Sequence, residues 1–125
     1  MKSSTVNVVV SDTAGNYGPM KLAATPVTVP AGKVTFVVKN FGHVGHEVVV
    51  LETNVAYDKL PITGFDGEQN RVDETRSVGE TGDPPVNPGQ TRTFVVDNMK
   101  AGRYVLLCNI AGHYGAGLRA PFTVT

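Results

Sequence analysis

Apolar and polar positions along this chain alternate in short bursts with a period near two, the spacing of half-buried strands. Thr5–Val10 is rich in β-branched residues and stops at Ser11-Asp12, with Gly15 and Gly18-Pro19 breaking the chain after it. Met20–Ala24 reads as a short strand. Val27–Val29 follows Pro26 and ends at Pro30-Ala31-Gly32, where Pro presets one backbone dihedral and Gly frees another. Val34–Lys39 is predicted as a strand that turns at Asn40-Phe41-Gly42. His46–Leu51 comes next, with Val48, Val49 and Val50 apolar on both faces and therefore expected to be buried. Strand character returns at Thr91–Asp97, Arg103–Cys108 and Ala120–Thr125, and Asn98-Met99-Lys100-Ala101-Gly102 turns the chain between the first two.

Residues 52–90 are less regular. Val55–Leu60 is expected to make a helical turn, Asp66-Gly67 and Gly82-Asp83-Pro84-Pro85 are loop signals, and Arg71–Gly79 reads as a strand or an exposed polar connection. No helix of ordinary length and no repeat is evident. Many short strands separated by turn signals predict an all-β, Greek-key sandwich or barrel with an elaborated crossover at 52–90. The 125 residues are read as one domain, 1–125, large enough to bury about two thirds of the unfolded surface.

Composition narrows the function classes. Lys plus Arg and Asp plus Glu each number 11, which leaves no basic stripe of the kind nucleic acid requires. No apolar run approaches the ~18 residues of a membrane span. The single Cys excludes an internal disulfide and so does not decide the redox compartment. Met1-Lys2-Ser3-Ser4 runs straight into the first strand without a cleavage pattern. Two readings fit, a cytoplasmic protein or an exported chain whose leader is outside this sequence.

The one Cys and all three His lie in two short segments, Gly42-His43-Val44-Gly45-His46-Glu47 and the run Cys108 to Leu118. One thiolate with two imidazoles and a weak or absent fourth ligand is the donor set of a mononuclear copper electron-transfer site. His46 is expected to open a buried strand and Cys108 to close another, so a sandwich can bring the two to one pole. His113 and Leu118 then lie on the loop that returns from Cys108, with Gly112, Gly115 and Gly117 allowing close backbone approach. Rival readings remain open at this point. A Cys-His-His zinc site would want a general base, and the only nearby carboxylate, Glu47, alternates away from His46. A copper carrier or storage protein would expose a labile, thiol-rich site. Three histidines are too few for a self-contained multicopper enzyme. His43 reads as a solvated loop histidine, and Glu68, Asp73, Glu74 and Glu80 as a solvated acidic surface.

Taken together, Asn40-Phe41-Gly42…His46 and Gly102-Arg103-Tyr104…Cys108-x4-His113-x4-Leu118 resemble the cupredoxins, the type 1 blue copper domains. The long connection and the ligand spacing are most similar to the sulfocyanin and rusticyanin branch. The resemblance implies one copper per chain, held by His46, Cys108 and His113, in a protein that passes electrons and is not an enzyme. It places Leu118 where most members have an axial Met. Since Leu cannot coordinate, a raised reduction potential is expected. Gly45 would offer a distant axial carbonyl, and the N–H groups of Glu47 and Ile110 would donate to the Cys108 sulfur. Tyr104 matches the family's tyrosine corner. The partners implied are redox proteins, a cytochrome or an oxidase. They would dock on an apolar patch of Phe41, Gly42, Ala111, Gly112, Tyr114 and Ala116 around an exposed edge of His113. Zero net charge leads us to expect little electrostatic steering. A monomer in an extracytoplasmic compartment, periplasmic or cell-surface, completes the expectation.

Overall fold

The apolar alternation that marks the first strand runs on at both of its ends. The structure is a computed structural model that describes residues 2–13 and 18–125; the predicted break at Gly15 lies outside them. β1 spans Lys2–Asp12, and its inward row is Val6, Val8, Val10 and then Asp12, all buried. β2 (Met20–Thr25) and β4 (Gly32–Asn40) flank it, antiparallel and parallel respectively, and β7 (Thr91–Met99) pairs with β4. In β4 the inward row is Gly32, Val34, Phe36, Val38 and Asn40. Both rows therefore end in a polar residue at the same pole, and Val10 stands beside Asn40 in register.

The second sheet has the order β3-β9-β8-β5-β6. Its strands are β3 (Thr28–Val29), β5 (Val49–Glu52), β6 (Ser77–Glu80), β8 (Gly102–Leu107) and β9 (Arg119–Val124). β3 and β9 run parallel, and the other pairs are antiparallel. The two sheets face one another as a sandwich and are not closed into a barrel. Phe36 fills the space between them, stacked on Phe94 at 5.0 Å and edge-on to Phe122 at 5.6 Å. Each such ring contributes on the order of 2 kcal/mol by leaving water.

The run Val48–Leu51 divides between two cores, as its two-sided apolar pattern predicted. Val48 and Val50 face the interior of the sandwich, while Val49 and Leu51 join Leu60, Val72, Val105, Leu107 and Tyr114 in a smaller cluster. The crossover between β5 and β6 supplies Leu60 and Val72 and so roofs the outer face of the five-stranded sheet. No helix forms at Val55–Leu60; the segment is a turn closed by Lys59 N–H to Ala56 O at 2.9 Å. The strand expected at His46 begins later, at Val49, and His46 instead makes an isolated antiparallel bridge with Val86. One short helix, α1 (His113–Ala116), had no counterpart in the sequence pattern because a single turn carries no periodicity.

Candidate metal centre

The loop that carries His46 is held by the two polar residues that end the inward rows. Asn40 is fully buried; its amide donates to the carbonyls of Val44 and Val86, both at 2.8 Å, and its Oδ1 accepts the Gly42 N–H at 2.7 Å. Reciprocal backbone bonds between His46 and Val86, at 3.0 and 2.7 Å, fix the histidine's own backbone. Asp12 then takes the side chain. Its Oδ2 lies 2.7 Å from His46 Nε2, and its carboxylate also accepts the backbone N–H of His43 at 2.9 Å and of Val44 at 3.3 Å. An ionised carboxylate only accepts, so His46 Nε2 carries the proton and Nδ1 keeps its lone pair. Gly42 makes room for this contact, because a Cβ there would run into the Asp12 carboxylate and come within 2.9 Å of His46 Nε2.

Cys108 follows directly on β8, and the next nine residues fold back so that Cys108 N–H donates to Leu118 O at 3.1 Å. Gly112 adopts a left-handed φ of 85° and starts α1, placing His113 with its N–H on Ile110 O at 2.9 Å. Gly117, at φ 121°, lies so close to the backbone of Met20 that no Cβ would fit. Below the loop, buried Asn109 bonds the crossover from both ends of its amide: Oδ1 accepts Val72 N–H, and Nδ2 donates to Val72 O and Glu74 Oε2, each at 2.7 Å.

These two halves converge. His46 Nδ1 and His113 Nδ1 stand 3.1 Å apart, Cys108 Sγ is 3.5 Å from His113 Nδ1, and the three donor atoms all lie within 4.8 Å of one another. All three residues are buried. Burial pushes the Cys108 thiol up to about 12, against the pull of backbone N–H groups of Glu47 and Ile110. The Glu47 N–H reaches the sulfur at 3.3 Å. Burial, and then the neighbouring His46, hold His113 down to about 4, so its ring is neutral at ordinary pH. Two imidazole nitrogens and a sulfur aimed at one point are a donor set that fits copper, and no other cluster of three such groups occurs among the described residues.

Several expected placements need correction. Tyr114 is not part of a surface patch: its hydroxyl accepts Leu60 N–H at 3.0 Å and donates to Tyr57 O at 2.6 Å, which draws the ring into the smaller core. His113 shows no exposed edge, being 1% accessible, whereas Phe41 stands out at 58%. Ala111 is exposed, and Gly42, Gly112 and Ala116 are half-buried. Leu118 is fully buried in the same cluster as Cys108. Tyr104 does form the expected corner, its hydroxyl donating to Lys100 O at 2.7 Å. His43 is exposed, as expected of a loop histidine, but its Nδ1 lies 2.9 Å from Asp12 Oδ1. Glu74 is half-buried and tied to Arg71 and Asn109 rather than solvated. Asp12 was missed altogether; its parity with Val6, Val8 and Val10 was the available signal.

The same fold recurs in solved structures. Among solved structures, a dithionite-reduced auracyanin from Roseiflexus castenholzii superposes with a TM-score of 0.62 at 23% identity, over 98% of this chain and 96% of that one. Auracyanin B gives 0.65 at 22% identity, over 98% and 88%. Reduced rusticyanin gives 0.58 at 22% identity, over 97% and 79%. At these identities the likeness establishes the fold. No curated protein sequence matches the chain. The sulfocyanin (SoxE) domain family matches residues 2–125. The chain belongs to that family, a cupredoxin branch, and is accordingly an electron-transfer protein with one copper per chain rather than an enzyme.

Proposed function

We propose that this protein shuttles single electrons between redox proteins at a copper held by His46, Cys108 and His113, with Leu118 in the axial position and contributing no ligand. The convergence of the three donor atoms within 4.8 Å supports the reading most directly. Copper supplies the Cu(II)/Cu(I) couple there. The chain's own part is to keep the donors fixed: Asp12 sets the His46 tautomer, the 108–118 loop is closed on itself, and the N–H groups of Glu47 and Ile110 stabilise the thiolate. Leu118 packs with Cys108 in a buried apolar wall, which disfavours the more highly charged oxidation state and raises the potential. The Gly45 carbonyl is proposed as a distant axial oxygen.

Partners, a cytochrome or an oxidase, meet the molecule at the accessible residues Phe41, Ala111, Gly112 and Ala116 of the two ligand segments, and the protein acts as a monomer in an extracytoplasmic compartment. No described helix is long and apolar enough to cross a membrane. Visible absorption of the Cu(II)-loaded protein tests the function: an intense thiolate charge-transfer band that bleaches with ascorbate is expected. A colourless protein that retains a divalent metal would favour zinc, and rapid loss of copper to a chelator would favour a carrier. Leu118→Met should lower the potential measured by voltammetry, and an unchanged value would remove Leu118 from the axial position.

A further inference from the structure

Beside the ligand loop lies a cavity of about 370 Å³ whose wall holds six carboxylates, those of Glu47, Asp66, Glu68, Glu74, Glu80 and Asp83, with Arg71 as the one cationic side chain. Acidic and basic residues are equal in number over the whole chain, so the remainder of the molecule is net cationic. Zero net charge thus conceals an uneven distribution, with the acidic charge concentrated on this wall.

A second feature sets the cavity apart from a solvated acidic surface. Glu47 is 9% accessible and lines the cavity, yet among the described residues its carboxylate makes neither a hydrogen bond nor an ion pair. Arg71 does not supply one, being engaged with Glu68 at 3.2 Å, Glu74 at 3.1 Å and the carbonyl of Asn109 at 2.7 Å. A buried carboxylate without a partner favours a cation.

Three of these carboxylates do not converge closely enough to hold a single ion, since only the His46–Cys108–His113 group does so among the described residues. Dispersed oxygens around a roomy cavity suit an extended cationic side chain better than a metal. The cavity is also bounded by Ile110 and Ala111, the residues between Cys108 and His113.

Building on the electron-transfer reading, we propose that this cavity is the docking site for a protruding lysine or arginine of a basic redox protein. Seated there, the cation brings the partner against the ligand loop at Ile110–Ala111, next to the sulfur.

The exposed wall residues allow a test that spares the copper ligands. Reduced, copper-loaded protein is oxidised in a stopped-flow instrument by tris(phenanthroline)cobalt(III), a cation, and by hexacyanoferrate(III), an anion. In the Glu80→Gln/Asp83→Asn variant the cationic oxidant should react about tenfold more slowly at low salt, and the difference should shrink as salt is added. The anionic oxidant should react no more slowly, and Asp97→Asn on β7 should change neither rate. Amide NMR of the copper-free protein with tetralysine should shift Glu47, Glu80, Asp83 and Ala111 in the wild type and not in the variant. Oxidation that proceeds normally but without regard to charge, or tetralysine shifts centred elsewhere, would overturn the docking proposal alone. Saturable calcium binding in the cavity that excludes tetralysine would overturn it in favour of a resident ion. Absence of reaction with both oxidants would instead overturn the electron-transfer reading, with the NMR result still deciding whether the cavity takes a cationic chain.

Discussion

His46 and His113 present the same nitrogen to the same point, but they are held by opposite means. His46 sits outside any regular strand and is oriented by Asp12, a residue 34 positions away on the first strand of the other sheet. His113 sits in a one-turn helix, and its backbone is fixed by bonds within its own loop, to Ile110 and Leu118. One ligand's side chain is oriented from across the fold, whereas the other's backbone is set by its neighbours in sequence. A metal centre can therefore be local on one side and fully tertiary on the other, and each side should fail in its own way.

The sulfur is where the two sides meet, since Glu47 N–H approaches it from the His46 segment and His113 Nδ1 from the loop. Cys108→Ser should abolish the thiolate charge-transfer band outright. A surviving intense band in its visible spectrum would separate Cys108 from the site and dissolve the comparison.

Asp12→Asn tests the tertiary side. It should cost about 10- to 100-fold in copper affinity, the usual effect of losing a carboxylate behind a ligating histidine. The lost negative charge should also raise the potential. Competition with a chelator measures the first and voltammetry the second. Affinity and potential both like wild type would show that the loop alone positions the centre.

The two close-approach glycines sharpen the contrast further. Gly117→Ala forces a Cβ onto the Met20 backbone at a φ of 121°, and Gly42→Ala forces one onto the Asp12 carboxylate. Each should lower stability by roughly 1–3 kcal/mol, read from thermal melts. Only Gly42→Ala should also shift the potential in the direction of Asp12→Asn. If Gly117→Ala shifted it equally, the division between the sides would be wrong.

The smallest effect concerns pH in the copper-free protein. His113 is held at about 4 in the fold against 6.5 for a free imidazole, so the unfolded chain binds the proton more readily. Stability is complete above about 6.5 and is lost as pH falls toward 4. Glu47, raised to about 7, gives the opposite slope as pH rises from 4.5. The melting temperature of His113→Gln should therefore fall less than that of wild type over pH 6.5–4; parallel curves would show that His113 is not the group being protonated.

The same division explains what could be read from sequence. Cys108, His113 and the glycines between them announce themselves by spacing, because a loop's geometry is written in consecutive residues. The strands were visible wherever alternation was clean, as at Val6–Val10 and Val34–Val38. His43 was read as a bystander and Asp12 not read at all, because their link depends on β1 lying parallel to β4, a pairing no local pattern encodes. Asn109 escaped for the same reason: its partners are Val72 and Glu74, in a crossover with little periodicity. The α1 turn and the acidic cavity likewise come from the way the crossover folds over the five-stranded sheet.

The distances along the chain between the contacting groups have a kinetic meaning. Asp12 meets His46 across 34 residues, Glu47 meets Cys108 across 61 and His46 meets His113 across 67. Loops of that length close only when both sheets have formed and faced each other. A collapsed or half-folded chain cannot assemble the three donors, and refolding in the presence of Cu(II) should develop colour in the last phase, after tyrosine absorbance has settled. The blue band would then serve as a built-in clock for the final step of folding.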